Sequence, residues 1–229
     1  VSGRGEGFCS GFDLSAYGAR VNQDVPGRIS FVTVDSDFVK PVEMEIRRKN
    51  GEAVGNLRVR PASAKVVSRV QDNSIMIKLT KPVKFTVEVN GDTLNHLVVF
   101  ANSLEEKPLT GPGPGVHYFG PGTHNLGDDG KGTLKLSDGD TVYLAGGAIV
   151  YGNLQALKVK NIAIKGRGIL CGSKFEHNVP DNQPKALLMD IQNVTNVAVE
   201  GIILLDTSGW NVLLLDCDHV NRRRVSGDQ

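Results

Sequence analysis

The sequence predicts an all-β protein in two parts, a β-sandwich followed by a parallel β-helix of stacked coils. Three observations support this fold class. Short runs of alternating apolar and polar residues fill the first hundred positions. A segment rich in glycine and proline follows them. Beyond that segment a short motif recurs at a spacing that is typical of coils stacked on one another.

Residues 1–104 are expected to form an antiparallel β-sandwich. Each alternating run places its apolar side chains on one face, as a half-buried strand requires. Turn-forming pairs separate the runs, at Asn50-Gly51, Asp72-Asn73 and Asn90-Gly91. Several short strands with this spacing are typical of a sandwich. The runs are residues 28–34, 56–60, 74–79 and 84–89.

The predicted boundary between the two parts covers residues 105–115. It contains the run Gly111-Pro112-Gly113-Pro114-Gly115. Proline lacks a backbone N–H and fixes φ, so this run can be neither a helix nor a central strand. Residues 116–229 are then predicted to form the helix coils.

Two copies of one motif carry the β-helix prediction. Residues 159–166 and 194–201 both read V-x-N-I/V-A-I/V-x-G, and residues 217–222 hold a degraded third copy. Val197 and Val220 lie 23 positions apart, which is about one coil. The first two copies lie further apart, and a loop around residues 173–185 accounts for the difference. A leucine-rich repeat is disfavoured because its L-x-x-L-x-L frame is missing.

The motif also predicts where its side chains point. Alternation directs its apolar residues inward, where each coil stacks on the next. The asparagine at the bend can bond the asparagine of the next coil or the backbone, and the glycine closes a corner where a side chain would collide. The inward residues are Ile162, Ile164, Val197, Val199 and Val220.

Five stretches of the second part resemble a known family. They are residues 119–124, 140–148, 161–170, 201–210 and 216–220. In this order they resemble the first coils of the polygalacturonase-like β-helix hydrolases. The resemblance implies an N-terminal β-sandwich and a right-handed parallel β-helix, incomplete at the C-terminus of this chain.

Two further sequence features bear on this resemblance: a match in the predicted sandwich, and one residue that differs from the family pattern. Residues 87–92 and 97–102 resemble the sandwich that precedes the helix in the dextranase and isopullulanase branch. Taken together, the resemblance covers residues 85–225. Cys171 stands where the family usually has an aspartate, a residue that we expect to be structural.

The resemblance implies inverting hydrolysis of a glycosidic bond in a polysaccharide. One aspartate protonates the leaving oxygen and another activates water. The family carries these in N-x-D-G-I/V-D and D-D motifs, which are not found at the matching place in this sequence. The catalytic residues are therefore unknown and expected C-terminal to Gln229, and the chain alone is expected to be inactive. The acidic residues predicted for the last coils are Asp206, Asp216, Asp218 and Asp228.

Three residues are candidates for substrate binding. Trp210, the only tryptophan, could stack on a pyranose ring or could pack under the cleft at a coil corner. His177 could line the cleft, because the family's long loop at this place walls the substrate groove, or could lie in a solvated loop. Lys174, like Lys185, could meet a sugar carboxylate or could be solvated. His117 and His124 are interpreted as structural turn residues.

Composition excludes other classes of function. The net charge is +1, from 26 basic and 25 acidic residues, which gives no general field for nucleic acid or a membrane surface. No apolar run approaches the ~20 residues of a membrane helix. No cofactor or metal is expected, because three scattered cysteines give no ligand spacing.

Alternatives to a hydrolase remain at this point. The chain could be a non-catalytic carbohydrate-binding or structural β-helix protein. A polysaccharide lyase or epimerase is a further alternative, although a lyase would add a Ca²⁺ site of clustered carboxylates. A secreted or periplasmic location is expected from the resemblance alone.

Overall fold

The computed structural model describes residues 4–9, 12–17, 20–22, 30–49, 51–177, 180, 185–223 and 226–227, with side chains for residues 30–49, 51–177, 180 and 185–221. The regular structure of these residues is β-strand, with one short 3-10 turn and no α-helix among them, which confirms the all-β class. The chain divides into two compact units, Val1–Glu106 and Lys107–Gln229.

The first unit is a sandwich of two five-stranded sheets. One sheet has the order β1-β2-β5-β8-β7 and the other the order β3-β4-β10-β9-β6. Apolar residues of both sheets share one buried core, in which Met44, Ile77 and Val87 are at most 2% exposed. The strands are β1 (Arg4–Cys9), β2 (Phe12–Tyr17), β3 (Arg20–Asn22), β4 (Ser30–Ser36), β5 (Val42–Arg48), β6 (Leu57–Arg60), β7 (Val67–Gln71), β8 (Ser74–Leu79), β9 (Val83–Val89) and β10 (Asp92–Ser103), with one 3-10 turn at Ala62–Ala64.

Two of the predicted turns close hairpins. Asp72-Asn73 joins β7 to β8, and Asn90-Gly91 joins β9 to β10. All four residues have positive φ, which matches the twist of the flanking strands and explains the Asn and Gly at these places. Asn50 of the third pair lies outside the described residues, as do the first two positions of the predicted run 28–34.

The sandwich departs from the prediction at one strand pair. β4 and β10 run parallel, with Val99 opposite Val32, whereas the other pairs of these two sheets are antiparallel. The two strands are separated by most of the unit's sequence, so no tight turn forces them to run in opposite directions. Alternating patterns mark strands but do not reveal such a pairing.

The second unit is a parallel β-helix with three sheets, named here by their strands. Helix sheet 1 has the order β11-β14-β17-β20-β23, helix sheet 2 the order β12-β15-β18-β21-β24, and helix sheet 3 the order β13-β16-β19-β22. Every pair within them is parallel, which confirms the predicted fold class. The strands are β11 (Val116–Phe119), β12 (Gly122–Asn125), β13 (Thr133–Lys135), β14 (Thr141–Leu144), β15 (Ala148–Tyr151), β16 (Asn153–Leu157), β17 (Lys160–Gly166), β18 (Ile169–Cys171), β19 (Met189–Gln192), β20 (Thr195–Glu200), β21 (Ile203–Leu205), β22 (Val212–Leu215), β23 (Asp218–Arg223) and β24 (Ser226–Gly227).

The predicted register of the repeats is confirmed. Ile162 lies opposite Val197 and Ile164 opposite Val199, and all four side chains are buried. Val220 lies opposite Val197 in the next coil, as predicted, but it is 39% exposed. It differs because β23 is the outer strand of its sheet, and no further described coil covers it.

The predicted corner chemistry is also confirmed. Asn161 and Asn196 both have positive φ, and Nδ2 of Asn196 donates a 2.7 Å hydrogen bond to Oδ1 of Asn161. His219 occupies the same place in the third copy, again with positive φ. At the other end of the motif, a side chain at Gly166 would overlap the carbonyl of Leu144.

The two histidines of the first coil have structural partners. Nε2 of His117 lies 3.0 Å from Oδ2 of Asp140, which also accepts the N–H of Ser137 at 2.8 Å. Nε2 of His124 lies 2.7 Å from the carbonyl oxygen of Gly120. Burial raises the pKa of Asp140, but the bonds from Ser137 and His117 outweigh it and hold that pKa below its ordinary value of 3.8.

The register predicts a sharp contrast between two adjacent positions. Val197→Asp should abolish soluble folding, because it buries an unpaired charge at a cost on the order of 4 kcal/mol or more. Ala198→Asp should fold, because Ala198 is exposed. Yield of soluble protein and thermal melting by circular dichroism check this. A cooperatively melting Val197→Asp variant would contradict the register.

The lowered pKa of Asp140 predicts a pH dependence of stability. The ionised carboxylate stabilises the fold above its unfolded pKa, and this contribution is lost as the pH falls through the lower folded pKa. Asp140→Asn should therefore lower the free energy of unfolding by ~1.5–3 kcal/mol at pH 6, and the difference between the two proteins should be smaller at pH 3. Urea unfolding of both proteins at each pH measures this difference. If the difference in unfolding free energy is the same at both pH values, the ionised carboxylate of Asp140 is not its source.

Candidate functional site

Two stacked loops form the corner between helix sheets 2 and 3. Residues 172–188 join β18 to β19, and one coil later residues 206–211 join β21 to β22. Hydrogen bonds connect the loops: Oγ1 of Thr207 donates to the carbonyl of Ala186 at 3.0 Å, and the Ala186 N–H donates to Oγ of Ser208 at 3.1 Å. The three candidate binding residues all lie on these loops.

Trp210 presents its ring to solvent. Trp210 is 67% exposed, so most of its indole ring does not pack against the corner. Its backbone is held in place, because its carbonyl accepts the N–H of Leu188 at 3.4 Å and the next carbonyl, of Asn211, accepts the N–H of Met189 at 3.0 Å. A fixed backbone with an exposed flat ring is the arrangement that a stacking platform needs.

His177 lies close to an acidic residue of the next coil. Its Nε2 is 3.9 Å from Oδ1 of Asp206, and both side chains are partly exposed. Asp206 is the residue after β21 and has a φ of 57°. Asp206 and His177 are 29 positions apart in the sequence, and the stacking of the coils brings them together.

Lys174 lies over a buried aromatic ring. Its Nζ is 5.1 Å from the centroid of Tyr151, one coil earlier, while the residue itself is exposed. At an exposed site such a cation–π contact is worth ~0.5–1 kcal/mol, enough to favour one position of the amine. Lys185, at the far end of the same loop, is also exposed.

Two protonated groups lie beneath this corner. Burial raises the pKa of the Cys171 thiol, and burial, with the nearby Cys171, raises the pKa of Tyr151. Sγ of Cys171 lies 3.3 Å from Oγ of Ser173. A buried thiol with a raised pKa is a poor nucleophile. The charged side chains described on this corner are therefore Lys174, Glu176, Lys185 and Asp206, together with His177 when it is protonated.

The other acidic residues predicted for the last coils are not part of this corner. Asp216 and Asp218 lie at the corner between helix sheets 3 and 1, on either side of Cys217. Oδ2 of Asp218 is 3.1 Å from Nδ1 of the neighbouring His219. Asp228 lies outside the described residues.

One carboxylate was missed by the sequence analysis. Asp190 lies on β19, between the inward Met189 and Ile191, and so points to the outward surface of helix sheet 3. Nε2 of Gln155 donates to its Oδ2 at 3.1 Å, and Nε2 of Gln192 donates to its Oδ1 at 2.6 Å. Alternation along residues 189–192 was the available signal, since it predicts that Asp190 points outward.

The described residues lack both a metal-ligating cluster and a membrane-spanning helix. They contain no group of three or more His, Cys, Asp or Glu side chains placed to hold a metal ion. None of their helices is long and apolar enough to cross a membrane.

Comparison with known proteins identifies a shared fold. No protein-family model and no curated protein matches the chain. Among solved structures it is similar to Dex49A from Penicillium minioluteum, with a TM-score of 0.65 and 18% identity over 86% of this chain and 47% of Dex49A. The chain thus spans less than half the length of Dex49A. At this identity the likeness shows the fold, an all-β architecture with a parallel β-helix.

A second solved structure is similar over a smaller region. It is described as a "putative glycosyl hydrolase" from Parabacteroides merdae ATCC 43184. The identity is 22%, the TM-score is 0.38, and the match covers 49% of this chain and 58% of the other. With that TM-score the match carries no structural argument.

The exposure of Trp210 makes its binding role measurable. Because it is the only tryptophan, intrinsic fluorescence reports on this position directly. Adding oligosaccharide should change the emission of the unsubstituted chain. Isothermal titration, which needs no tryptophan, should show that Trp210→Ala weakens binding on the order of tenfold with little change in melting temperature.

Leu94→Ala is the matched control, because Leu94 is 84% exposed in the first unit. It removes a large exposed side chain elsewhere and should leave binding unchanged. Equal binding by the Trp210→Ala variant and the unsubstituted chain would remove Trp210 from the site.

Proposed function

We propose that this protein is a glycoside hydrolase that acts on a polysaccharide. The observation that carries the proposal is the exposed Trp210 on a fixed backbone, on a corner that also presents Lys174 and the His177–Asp206 pair. The shared fold supports the class, because Dex49A is a dextranase. The polygalacturonase branch has no such support beyond the sequence motifs.

The corner has the groups that sugar recognition uses. An indole face can cover the C–H face of a pyranose. Charged side chains on the same corner can form hydrogen bonds with sugar hydroxyls, and bonds to ionised groups are the stronger kind. Successive coils are stacked ~4.8 Å apart, so a linear polymer can lie along the stack and contact several of them.

The proposed reaction is hydrolysis with inversion, as the sequence resemblance implies. It needs a carboxylic acid and a carboxylate ~6.5–9.5 Å apart, with a water between the base and the sugar. Neither role is assigned to a residue. A substrate too large to enter a cell would be met outside the cytoplasm, so we propose a secreted or periplasmic location.

The test is hydrolysis by the protein expressed at the full length of its reading frame. Dextran, pullulan and polygalacturonate would each be incubated with it. Isothermal titration would measure binding, and new reducing ends would measure cleavage. Release of reducing ends from any of them supports the proposal. Binding without release would favour the alternative, a non-catalytic carbohydrate-binding protein. If the protein shows no binding and no release of reducing ends, both the hydrolase proposal and the carbohydrate-binding alternative are overturned.

A further inference from the structure

We infer that Asp190 is a sugar-binding residue and that it selects an uncharged saccharide. The inference rests on the proposed function and specifies its substrate class. It places a second binding position on the outward surface of helix sheet 3, beside the corner that carries Trp210.

The carboxylate of Asp190 is held in one orientation. Gln155, one coil earlier, donates to one of its oxygens, and Gln192, on the same strand, donates to the other. A carboxylate offers about four acceptor sites, and these two bonds occupy one on each oxygen. The remaining sites can accept sugar hydroxyls without reorienting the side chain, which lowers the entropic cost of binding.

Asp190 also lies within reach of the corner site. It is in register with Leu213 on β22, and Trp210 precedes Leu213 by three residues. Trp210 lies on the loop before β22, but the bonds that its carbonyl and that of Asn211 accept from Leu188 and Met189 continue the pairing to this position. The separation is therefore at most roughly 10 Å along the chain and ~4.8 Å across to the next strand. One short oligosaccharide can therefore contact both Trp210 and Asp190.

The surroundings of Asp190 determine which sugars suit it. Its described neighbours on the outward surface are the amides of Gln155 and Gln192 and the side chain of Leu213, and none of these is a cation. Lys135 is in the same row but two coils away, and Lys174 and Lys185 lie on the corner loop rather than on the strands of this sheet. An anionic sugar would meet an uncompensated carboxylate at this position, and like charges repel. A neutral sugar would offer only hydroxyl donors.

The experiment compares neutral and anionic probes on the purified chain. Isothermal titration with oligosaccharides from dextran and pullulan, and with oligogalacturonides of equal length, gives the three affinities. At least one neutral probe should bind, and more tightly than the oligogalacturonide. Asp190→Asn should weaken neutral binding on the order of tenfold and narrow the preference over oligogalacturonide.

Two further variants separate recognition from stability. Gln155→Ala removes one of the groups that orient Asp190 and should weaken neutral binding while the charge remains. Glu200→Gln removes an exposed carboxylate from helix sheet 1 and should leave binding unchanged. Melting curves establish that each variant is folded before its affinity is compared.

The outcomes distinguish the two proposals. Unchanged affinity and preference in a folded Asp190→Asn variant would overturn the role of Asp190 and leave the hydrolase proposal standing. A wild-type chain that prefers oligogalacturonide would overturn the neutral substrate class in the same way. A chain that binds none of the probes would count against the proposed function itself.

Discussion

The second unit depends on one interaction, the in-register stacking of inward apolar side chains from coil to coil. A single coil cannot cover its own apolar residues, so each is buried only by its neighbours. Ile162 on Val197 and Ile164 on Val199 are such contacts. Full burial of each side chain contributes ~1.5–3 kcal/mol, and a slip of one residue would turn the whole set outward. The outward residues therefore have fixed places too.

The candidate binding site lies at a corner between two sheets of the β-helix. Residues with positive φ, such as Asn161 and Asn196, turn the chain between sheets while their side chains bond from coil to coil. Since the sheets hold the register, a corner loop can lengthen at little cost in closure entropy. The loop of residues 172–188 is one such extension. It carries Lys174 and His177 on the same corner as Trp210 of the following coil.

The sequence predicted features that depend on local pattern or on a repeat. Alternation and turn pairs indicated the strands of the first unit, and the repeated asparagine and glycine indicated the register of the second. Contacts between coils were harder to predict. The His177–Asp206 approach and the Gln155–Asp190 bond join residues 29 and 35 positions apart, and only the stacked register brings them together. The parallel β4–β10 pair was missed because alternation carries no information on strand direction.

The central claim is that the stacked coils place Trp210 and Asp190 on one saccharide-binding surface. A crystal structure of the chain with a neutral oligosaccharide tests it most directly. We expect a sugar ring against the exposed indole of Trp210, and hydroxyls of the same oligosaccharide within hydrogen-bonding distance of the carboxylate that Gln155 and Gln192 orient. An oligosaccharide bound elsewhere, with helix sheet 3 and its corner empty, would contradict the account.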